Sequence, residues 1–197
     1  KEEKPRLLEK LLSEYRGTAL VFVRTRFGAE KLCRSVKAMG HAAAEIHSNR
    51  SLNQRREALD GFKAGKYRVL VATDIAARGI DVVGIELVVN YDMPENPEDY
   101  VHRIGRTGRA GLGGRAISFA MPDQGPEVRQ VEKLVRIALP ISAMPQLPPS
   151  RFVPQPFIQD PRQGGPAHGR GGRLQGIRDA RRGGYGRSSF GSRRGRR

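Results

Sequence analysis

Cysteine and long apolar segments are both scarce in this chain of 197 residues. The single cysteine, Cys33, excludes a disulfide framework and indicates a reducing compartment. Cys33 lies in a helical pattern, where we expect a small core residue rather than a nucleophile. No apolar run approaches the roughly 18 residues of a membrane span, and no signal peptide is visible. We therefore expect a cytoplasmic protein without membrane association and, because the first residue is Lys1 rather than methionine, part of a longer protein.

Two kinds of ligand site are also missing from the sequence. No GxxxxGK[ST] segment occurs, which excludes a phosphate-binding P-loop from this chain. His41, His47 and His168 have no metal-ligand spacing, and His102 lies within an arginine-rich segment. We therefore expect no metal site.

Acidic residues are few relative to basic ones, and the net charge is +16. A surplus of this size indicates a nucleic-acid partner. The surplus is uneven: residues 1–139 carry 24 Lys and Arg against 18 Asp and Glu, whereas residues 140–197 carry 12 arginines against 2 aspartates.

The segment 140–197 differs from the preceding chain in composition. It holds 11 of the 24 glycines and 8 of the 13 prolines, and it has too few apolar residues to offset the entropy of ordering. We expect a disordered Pro/Gly/Arg-rich tail after a domain over 1–139. The arginines of this segment can neutralise phosphates, and Tyr185 and Phe190 can stack on bases. This composition predicts an RNA-binding tail. The alternative is a disordered tail that only increases solubility.

Strand and helix patterns alternate over residues 1–139. Strands are predicted over "TALVFV", "HAAAEIH", "YRVLVAT", "IELVVNYD" and "GGRAISFA". Helices are predicted over "RLLEKLLSEY", "GAEKLCRSVKAMG", "SLNQRREALDGFKAG", "NPEDYVHRIG" and "QGPEVRQVEKLVRIAL", with Ser51 and Asn96 as N-caps and Gly40 as a C-cap. This alternation predicts an α/β fold with a mostly parallel sheet and helices on both faces. Ligands bind such sheets at the carboxyl ends of the strands.

Three segments near these strand ends carry polar and charged residues, and the first of them is "RTRFGAE", which follows "TALVFV". Thr73 and Asp74 end a buried strand, where a hydroxyl and backbone amides can meet a phosphate; the alternative is a helix cap for "IAAR". The segment "YVHRIGRTGRAG" places Arg103, Arg106 and Arg109 at three-residue spacing with glycines between them. Because each glycine costs about 1 kcal/mol in a helix interior, an anionic partner is favoured over a generic basic surface. Arginine suits phosphate because its planar fork binds two oxygens at once.

These segments resemble motifs of the DEAD-box RNA helicases. "ATDIAARGID" and "YVHRIGRTGRAG" resemble motifs V and VI, "ALVFVRTR" resembles motif IV, and "IHSNRSLNQRREALDGFK" resembles motif IVa with its helix. The resemblance runs over 1–139, and the arginine-rich tail makes the bacterial RhlE-type branch especially similar. It implies a RecA-like fold, as the second of the family's two domains.

For nucleotide binding, the resemblance implies roles for several residues of the two motifs. Arg106 and Arg109 match the arginines that reach the γ-phosphate of ATP, with Arg109 as the arginine finger. Asp81 matches the residue that contacts the ribose, and His102 matches a residue that couples the ATP state to RNA across the domain interface. Arg103 matches an interface or structural position.

For RNA binding, the resemblance implies contacts to the backbone. Thr73 and Gly79 match contacts of motif V, and Arg55 matches the arginine of motif IVa. The family usually has glutamine three residues before that arginine, where this chain has Leu52; Gln54 lies two places further on. Leu52 cannot hydrogen-bond RNA, which leaves Arg55 to act alone.

The resemblance also implies what has to come from elsewhere. The P-loop and the Asp-Glu-Ala-Asp motif that binds Mg²⁺ belong to the family's N-terminal RecA-like domain, and neither occurs here. We therefore expect an ATP-dependent RNA helicase whose ATPase needs that domain, with ATP and Mg²⁺ between the two domains and largely sequence-independent RNA binding. One alternative is a non-enzymatic RNA-binding or annealing module, and another is a related helicase that acts on DNA.

Overall fold

The computed structural model of the protein describes residues 3–109 and 111–143. Six α-helices and five β-strands alternate in this part of the chain. The helices are α1 (Glu3–Glu14), α2 (Arg26–Ala38), α3 (Leu52–Lys63), α4 (Asp74–Ala77), α5 (Pro97–Ile104) and α6 (Gly125–Val135). The strands are β1 (Ala19–Phe22), β2 (Ala43–Ile46), β3 (Val69–Ala72), β4 (Leu87–Asn90) and β5 (Arg115–Ser118). A short 3₁₀ turn, Pro122–Gln124, precedes α6.

The five strands form one parallel sheet in the order β2–β3–β1–β4–β5. The central strand β1 pairs with β3 and β4, so that Leu20 lies opposite Leu70 on one side and Val88 on the other. Strands β1, β3 and β4 are buried along their whole length. Burial on both faces explains why continuous apolar runs, rather than alternating ones, encode these strands.

Apolar side chains cover both faces of the sheet. On one face, Val21 and Val71 pack in a cluster with residues of α1 and α2. On the other face, Leu20, Leu70 and Phe62 pack in a cluster with residues of α3 and α4. The predicted α/β class, the parallel sheet and the helices on both faces are therefore confirmed.

A third and smaller cluster holds α5 and α6 together. Met93, which follows β4, is fully buried against Tyr100 of α5 and Val131 of α6. Because α5 also contacts β4, this cluster fixes the helix that carries the first predicted arginine of the site.

The ends of several helices agree with the predicted caps. Ser51 caps α3 and exchanges reciprocal hydrogen bonds with Gln54. Gly40, just after α2, has a φ of 89°, a left-handed conformation that glycine adopts without strain. The last helix is shorter than predicted because Arg136 turns left-handed, with a φ of 56°. Cys33 is buried, and burial raises the pKa of its thiol to about 11, which confirms a core residue.

The tail predicted over 140–197 lies outside the described residues from 144 onward. Residues 138–143 follow α6 without forming a helix or strand. The tail's RNA-binding residues, including Tyr185 and Phe190, therefore stay a prediction from sequence.

Candidate functional site

The Arg103 guanidinium is buried at the carboxyl ends of the three central strands, and only 2% of the residue is exposed. Its Nε and Nη2 donate to the two carboxylate oxygens of Asp74 at 2.5 and 2.7 Å. Its Nη1 donates to the Asp92 carbonyl at 2.6 Å and to Asn90 Oδ1 at 3.3 Å. The Phe22 ring centroid lies 5.1 Å away. With its donors engaged in this way, Arg103 links strands to α5, in agreement with the structural position that the resemblance implies.

Arg106 is half-buried just beyond the end of α5. Its Nη1 donates to the Ile80 carbonyl at 2.5 Å, and it forms no salt bridge with any carboxylate in residues 3–109 or 111–143. Burial lowers the pKa of Arg106 from its ordinary value, Arg109 lowers it further, and Asp81 opposes both effects. Since arginine stays charged at neutral pH, a half-buried cation stands here without a close carboxylate. Such a group favours the binding of an external anion.

Arg109 and Asp81 form an ion pair at the surface. Arg109 Nη1 lies 3.2 Å from Asp81 Oδ1, and the two side chains are 36% and 83% exposed. Arg109 Nε also donates to the Gly105 carbonyl at 2.6 Å. An exposed pair of this kind contributes about 0–1 kcal/mol, so a ligand can replace either partner at little cost.

Two glycines give these loops a backbone conformation that other residues rarely adopt. Gly79, between α4 and Asp81, has a φ of 82°, and Gly108, directly before Arg109, has a φ of 67°. A left-handed conformation costs other residues roughly 1–2 kcal/mol. Gly108, which makes the segment "YVHRIGRTGRAG" unsuited to a regular helix, therefore turns the chain, and Arg109 then lies beside Asp81.

His102 lies on the exposed side of α5 in a small polar cluster. Its Nδ1 is 3.9 Å from Asp99 Oδ1, and its side chain is 65% exposed. Arg78, which follows α4, donates from Nη2 to the same Asp99 oxygen at 3.2 Å. The His102 ring is therefore accessible from solvent, and its coupling role stays a prediction.

Thr73 occupies the N-cap position of α4, a helix of one turn. Its hydroxyl makes no capping hydrogen bond, and the Asp74 carboxylate binds Arg103 instead. The alternative that Thr73 and Asp74 serve as a helix cap is therefore right about the position of Thr73. It is wrong about the side chains of Thr73 and Asp74, because the first makes no capping hydrogen bond and the second binds Arg103. The half-buried Thr73 hydroxyl keeps its capacity to bind a ligand oxygen.

The first turn of α3 carries Arg55 and the two residues that depart from the family pattern. The Ser51 backbone N–H donates to Gln54 Oε1 at 3.0 Å, and the Gln54 N–H donates to Ser51 Oγ at 3.3 Å. This capping box occupies Gln54, so Gln54 does not replace the missing glutamine. Leu52 is 58% exposed. Arg55 is half-buried, and its Nε has no hydrogen-bond partner among the described residues.

The structure joins some of the predicted residues and separates others. Arg106 and Arg109 meet the segment Ile80–Asp81, so the two motifs that resemble V and VI form one site. Among the described residues, no hydrogen bond links Arg55 of α3 to Thr73 or Gly79. Those three residues reach the same edge of the sheet from different elements.

Sequence reasoning missed the polar residues that hold Arg103. Asn90 ends β4 and is fully buried, and its Nδ2 donates to Ser118 Oγ at 2.9 Å. A buried polar residue at the end of an apolar strand was the signal available, in "LVVNYD". Asn90 and Arg103 are 13 residues apart along the chain, and a contact at that separation produces no periodic pattern in the sequence.

None of the helices in the described part of the chain is long and apolar enough to cross a membrane. The same residues contain no group of three or more His, Cys, Asp or Glu side chains placed to hold a metal ion.

Curated proteins similar to this chain are RNA helicases. The chain is 40% identical over 144 residues to the probable ATP-dependent RNA helicase DDX23 of Homo sapiens, a match that covers 73% of this chain and 17% of that protein. It is 48% identical over 118 residues to the ATP-dependent RNA helicase CshA of Listeria monocytogenes, a match that covers 60% of this chain and 23% of that protein. The chain thus spans only about a fifth of the length of these relatives.

Solved structures give the same result for the fold. The E. coli DEAD-box protein SrmB, crystallised with regulator of ribonuclease activity A, is similar with a TM-score of 0.70 and 33% identity, over 79% of this chain and 92% of that chain. A DEAD-box protein from Methanococcus jannaschii is similar with a TM-score of 0.65 and 39% identity, over 69% of this chain and 38% of that chain. Residues 3–111 match the family model described as the helicase conserved C-terminal domain. The chain therefore belongs to the helicase conserved C-terminal domain family and carries the RecA-like fold of the DEAD-box RNA helicases.

Proposed function

We propose that this chain works as the second RecA-like domain of an ATP-dependent DEAD-box RNA helicase, in which ATP binding and hydrolysis drive local unwinding of an RNA duplex. One observation carries the proposal. Arg106 has no carboxylate partner among the described residues, Arg109 has only an exposed one, and both lie beside the Ile80–Asp81 segment. A phosphate chain is the ligand that two neighbouring guanidinium groups bind well.

On the nucleotide side, Arg106 and Arg109 bind the γ-phosphate of ATP, and the Asp81 carboxylate accepts a hydrogen bond from a ribose hydroxyl. The residues fit these roles because the half-buried guanidinium of Arg109 and the exposed carboxylate of Asp81 are joined to each other only by a weak ion pair. Arg109, as the arginine finger, offsets the charge that develops on the transferred phosphoryl group, an effect worth roughly 10³–10⁵ in rate. Loss of the γ-phosphate removes the partner of both arginines, and the cleft then opens.

On the RNA side, Arg55, Thr73 and Gly79 contact the sugar-phosphate backbone. The unpartnered Nε of Arg55 supports this role, since a buried donor without an acceptor is costly until a ligand oxygen binds it. The unused Thr73 hydroxyl supplies a second group. Backbone contacts carry no base information, so recognition is largely independent of sequence.

The partner of this domain is the N-terminal RecA-like domain of the same protein. The exposed His102 ring faces it and couples the nucleotide state to RNA binding, so that ATP and RNA each tighten the binding of the other. ATP binds together with Mg²⁺, and the P-loop and the Mg²⁺ ligands belong to the first domain. The described residues of this chain contain no acidic cluster that would hold the ion.

Three further proposals rest on the sequence. The arginine-rich composition of 140–197 favours the RhlE-like bacterial branch and a tail that binds RNA through its 12 arginines. The domain proper extends over 1–139. A single cysteine favours a cytoplasmic location.

The decisive experiment replaces Arg109 by alanine in the protein that includes the first domain. ATP turnover stimulated by RNA should fall by ~10² or more, whereas Lys66→Ala, which removes an exposed cation of an ion pair just before β3 and away from the site, should leave turnover within a few-fold. Circular dichroism of both variants checks that the domain stays folded. Turnover of the Arg109 variant within threefold of the parent would refute the arginine-finger role.

A second measurement separates the enzyme from a non-enzymatic RNA-annealing module. This chain alone should show no RNA-stimulated ATPase, and the two-domain protein should show it. RNA annealing without any ATPase in the two-domain protein would favour the annealing module. Stimulation of the ATPase by DNA rather than RNA would favour the related DNA helicases.

A further inference from the structure

Phe27 is an exposed aromatic side chain at the edge of the sheet proposed to bind RNA. It lies in the first turn of α2, directly after β1, and 64% of the residue is exposed. The other three phenylalanines of the described residues, Phe22, Phe62 and Phe119, are buried. A ligand that covers this ring would therefore gain the free energy of removing its exposed apolar surface from water.

The Arg26 guanidinium orients the Phe27 ring. It lies 5.0 Å from the ring centroid, and its Nη1 donates to Asn49 Oδ1 at 2.8 Å. Asn49 belongs to the loop between β2 and α3, the helix that carries Arg55. Arg26 therefore ties the Phe27 turn to the loop that leads to a proposed RNA contact.

The backbone under Phe27 is fixed by a helix cap. The Gly28 N–H donates to Thr25 Oγ1 at 3.0 Å, which closes the first turn of α2. The capped backbone, together with the contact between Arg26 and the ring, therefore places Phe27 before any ligand binds, so less conformational entropy is lost on binding.

The charge around the ring favours a polyanion. Arg26 donates to the neutral side-chain amide of Asn49. Among the described residues, neither Arg26 nor Arg55 on the neighbouring helix forms a salt bridge, and Arg55 Nε has no hydrogen-bond partner. An apolar partner would bury these cations without supplying any negative charge. A nucleic acid strand supplies phosphates for the arginines and a flat base for the ring.

We propose that Phe27, backed by Arg26, is a stacking platform for one base of single-stranded RNA, in addition to the backbone contacts of Arg55, Thr73 and Gly79. This inference rests on the proposed RNA-binding function. Because every base has a π-face, the platform adds affinity without strong sequence preference. It also requires an unpaired base, so it favours single strands over duplex RNA.

The test uses a property of the sequence, which contains no tryptophan. Phe27→Trp gives the full chain a single tryptophan at the proposed platform, and Ile137→Trp gives a matched control at a position that is 66% exposed beyond α6. Titration with labelled oligouridylate follows binding by anisotropy of the label and stacking by tryptophan fluorescence. We expect quenching of the Phe27→Trp variant that saturates with binding and little quenching of the Ile137→Trp variant. Quenching of the Phe27→Trp variant should be lost when an abasic ribose-phosphate strand is used.

Affinity gives an independent readout. Phe27→Ala should weaken binding of oligouridylate by roughly 5-fold to 100-fold and should leave binding of the abasic strand within twofold of the parent. Phe27→Tyr should preserve affinity. Ile137→Ala should leave the affinity for both strands unchanged.

The outcomes distinguish this inference from the function on which it rests. The stacking platform would be overturned, with RNA binding left intact, by two results together. Oligouridylate would bind the Phe27→Trp variant without changing its fluorescence, and the Phe27→Ala variant would keep the affinity of the parent. Failure of the chain to bind RNA at all would overturn both. If the abasic strand quenched the Phe27→Trp variant as strongly as oligouridylate does, the ring would lie near a phosphate contact, and base stacking would also be overturned.

Discussion

Replacing Arg103 by methionine should destabilise the domain more than any other single change at the candidate site. The substitution removes four hydrogen bonds and leaves the Asp74 carboxylate, the Asp92 carbonyl and the Asn90 amide without their cation. Breaking one side of a buried, hydrogen-bonded charge pair costs about 3–5 kcal/mol. Since domains of this size are stable by only about 5–15 kcal/mol, the loss is a large part of the total.

Urea unfolding followed by circular dichroism measures this cost as the change in the free energy of unfolding. Arg78→Met is the matched control, because Arg78 also pairs with an aspartate but is 66% exposed; we expect less than about 1 kcal/mol for it. Asp74→Asn combined with Arg103→Met in a double-mutant cycle should give a coupling of at least about 1 kcal/mol. An Arg103→Met variant that loses less than about 1 kcal/mol would refute the structural role of this arginine.

Three other predictions concern the backbone, the pH response and the tail. Gly79→Ala should lower the free energy of unfolding in urea by about 1–2 kcal/mol, since a φ of 82° strains alanine while no atom lies within 4 Å of the added methyl group; a loss of more than about 3 kcal/mol would indicate a steric clash instead. Burial, followed by the charge of Arg68, lowers the pKa of His41 from its ordinary value of 6.5, so the unfolded chain binds this proton more readily. Its contribution to stability should therefore be present above pH 6.5 and lost as the pH falls below that value. His41→Asn should flatten this pH dependence in thermal melts, and a parallel profile for the two proteins would contradict it. Cutting after Leu139 removes all 12 arginines of 140–197; if about half of them neutralise phosphates, the slope of log K against log salt on single-stranded RNA should flatten by roughly 4 units. Equal slopes for the cut and full chains would show that the tail only adds solubility.

Periodicity predicts the sheet well because parallel strands buried on both faces need continuous apolar runs. All five predicted strands are present, and the sequence-based caps at Ser51 and Gly40 are confirmed because capping chemistry is local. The end of α6 was harder to predict, since Arg136 leaves the helix without a glycine or proline to mark the change.

The separate environments of the three arginines could not be read from their spacing. Arg103, Arg106 and Arg109 look equivalent in the sequence, yet the first is buried against Asp74 and the last is paired with Asp81 at the surface. These partners come from other elements, 29 and 28 residues away along the chain. Tertiary contacts of this kind leave no periodic signal, so only the family resemblance distinguished the roles.

The ion pair between Arg109 and Asp81 has a consequence for which molecules gain access to the cleft. While the pair is closed, a simple anion such as inorganic phosphate has to compete with the Asp81 carboxylate for Arg109, and the displaced carboxylate, which is 83% exposed, returns to water. In the proposed nucleotide complex, a phosphate would replace Asp81 on Arg109, and a ribose hydroxyl would replace Arg109 on Asp81. Only a ligand with both groups at the correct separation restores both partners. Because an exposed pair of this kind is worth only about 0–1 kcal/mol, the resulting preference for such a ligand over free phosphate should be at most about fivefold.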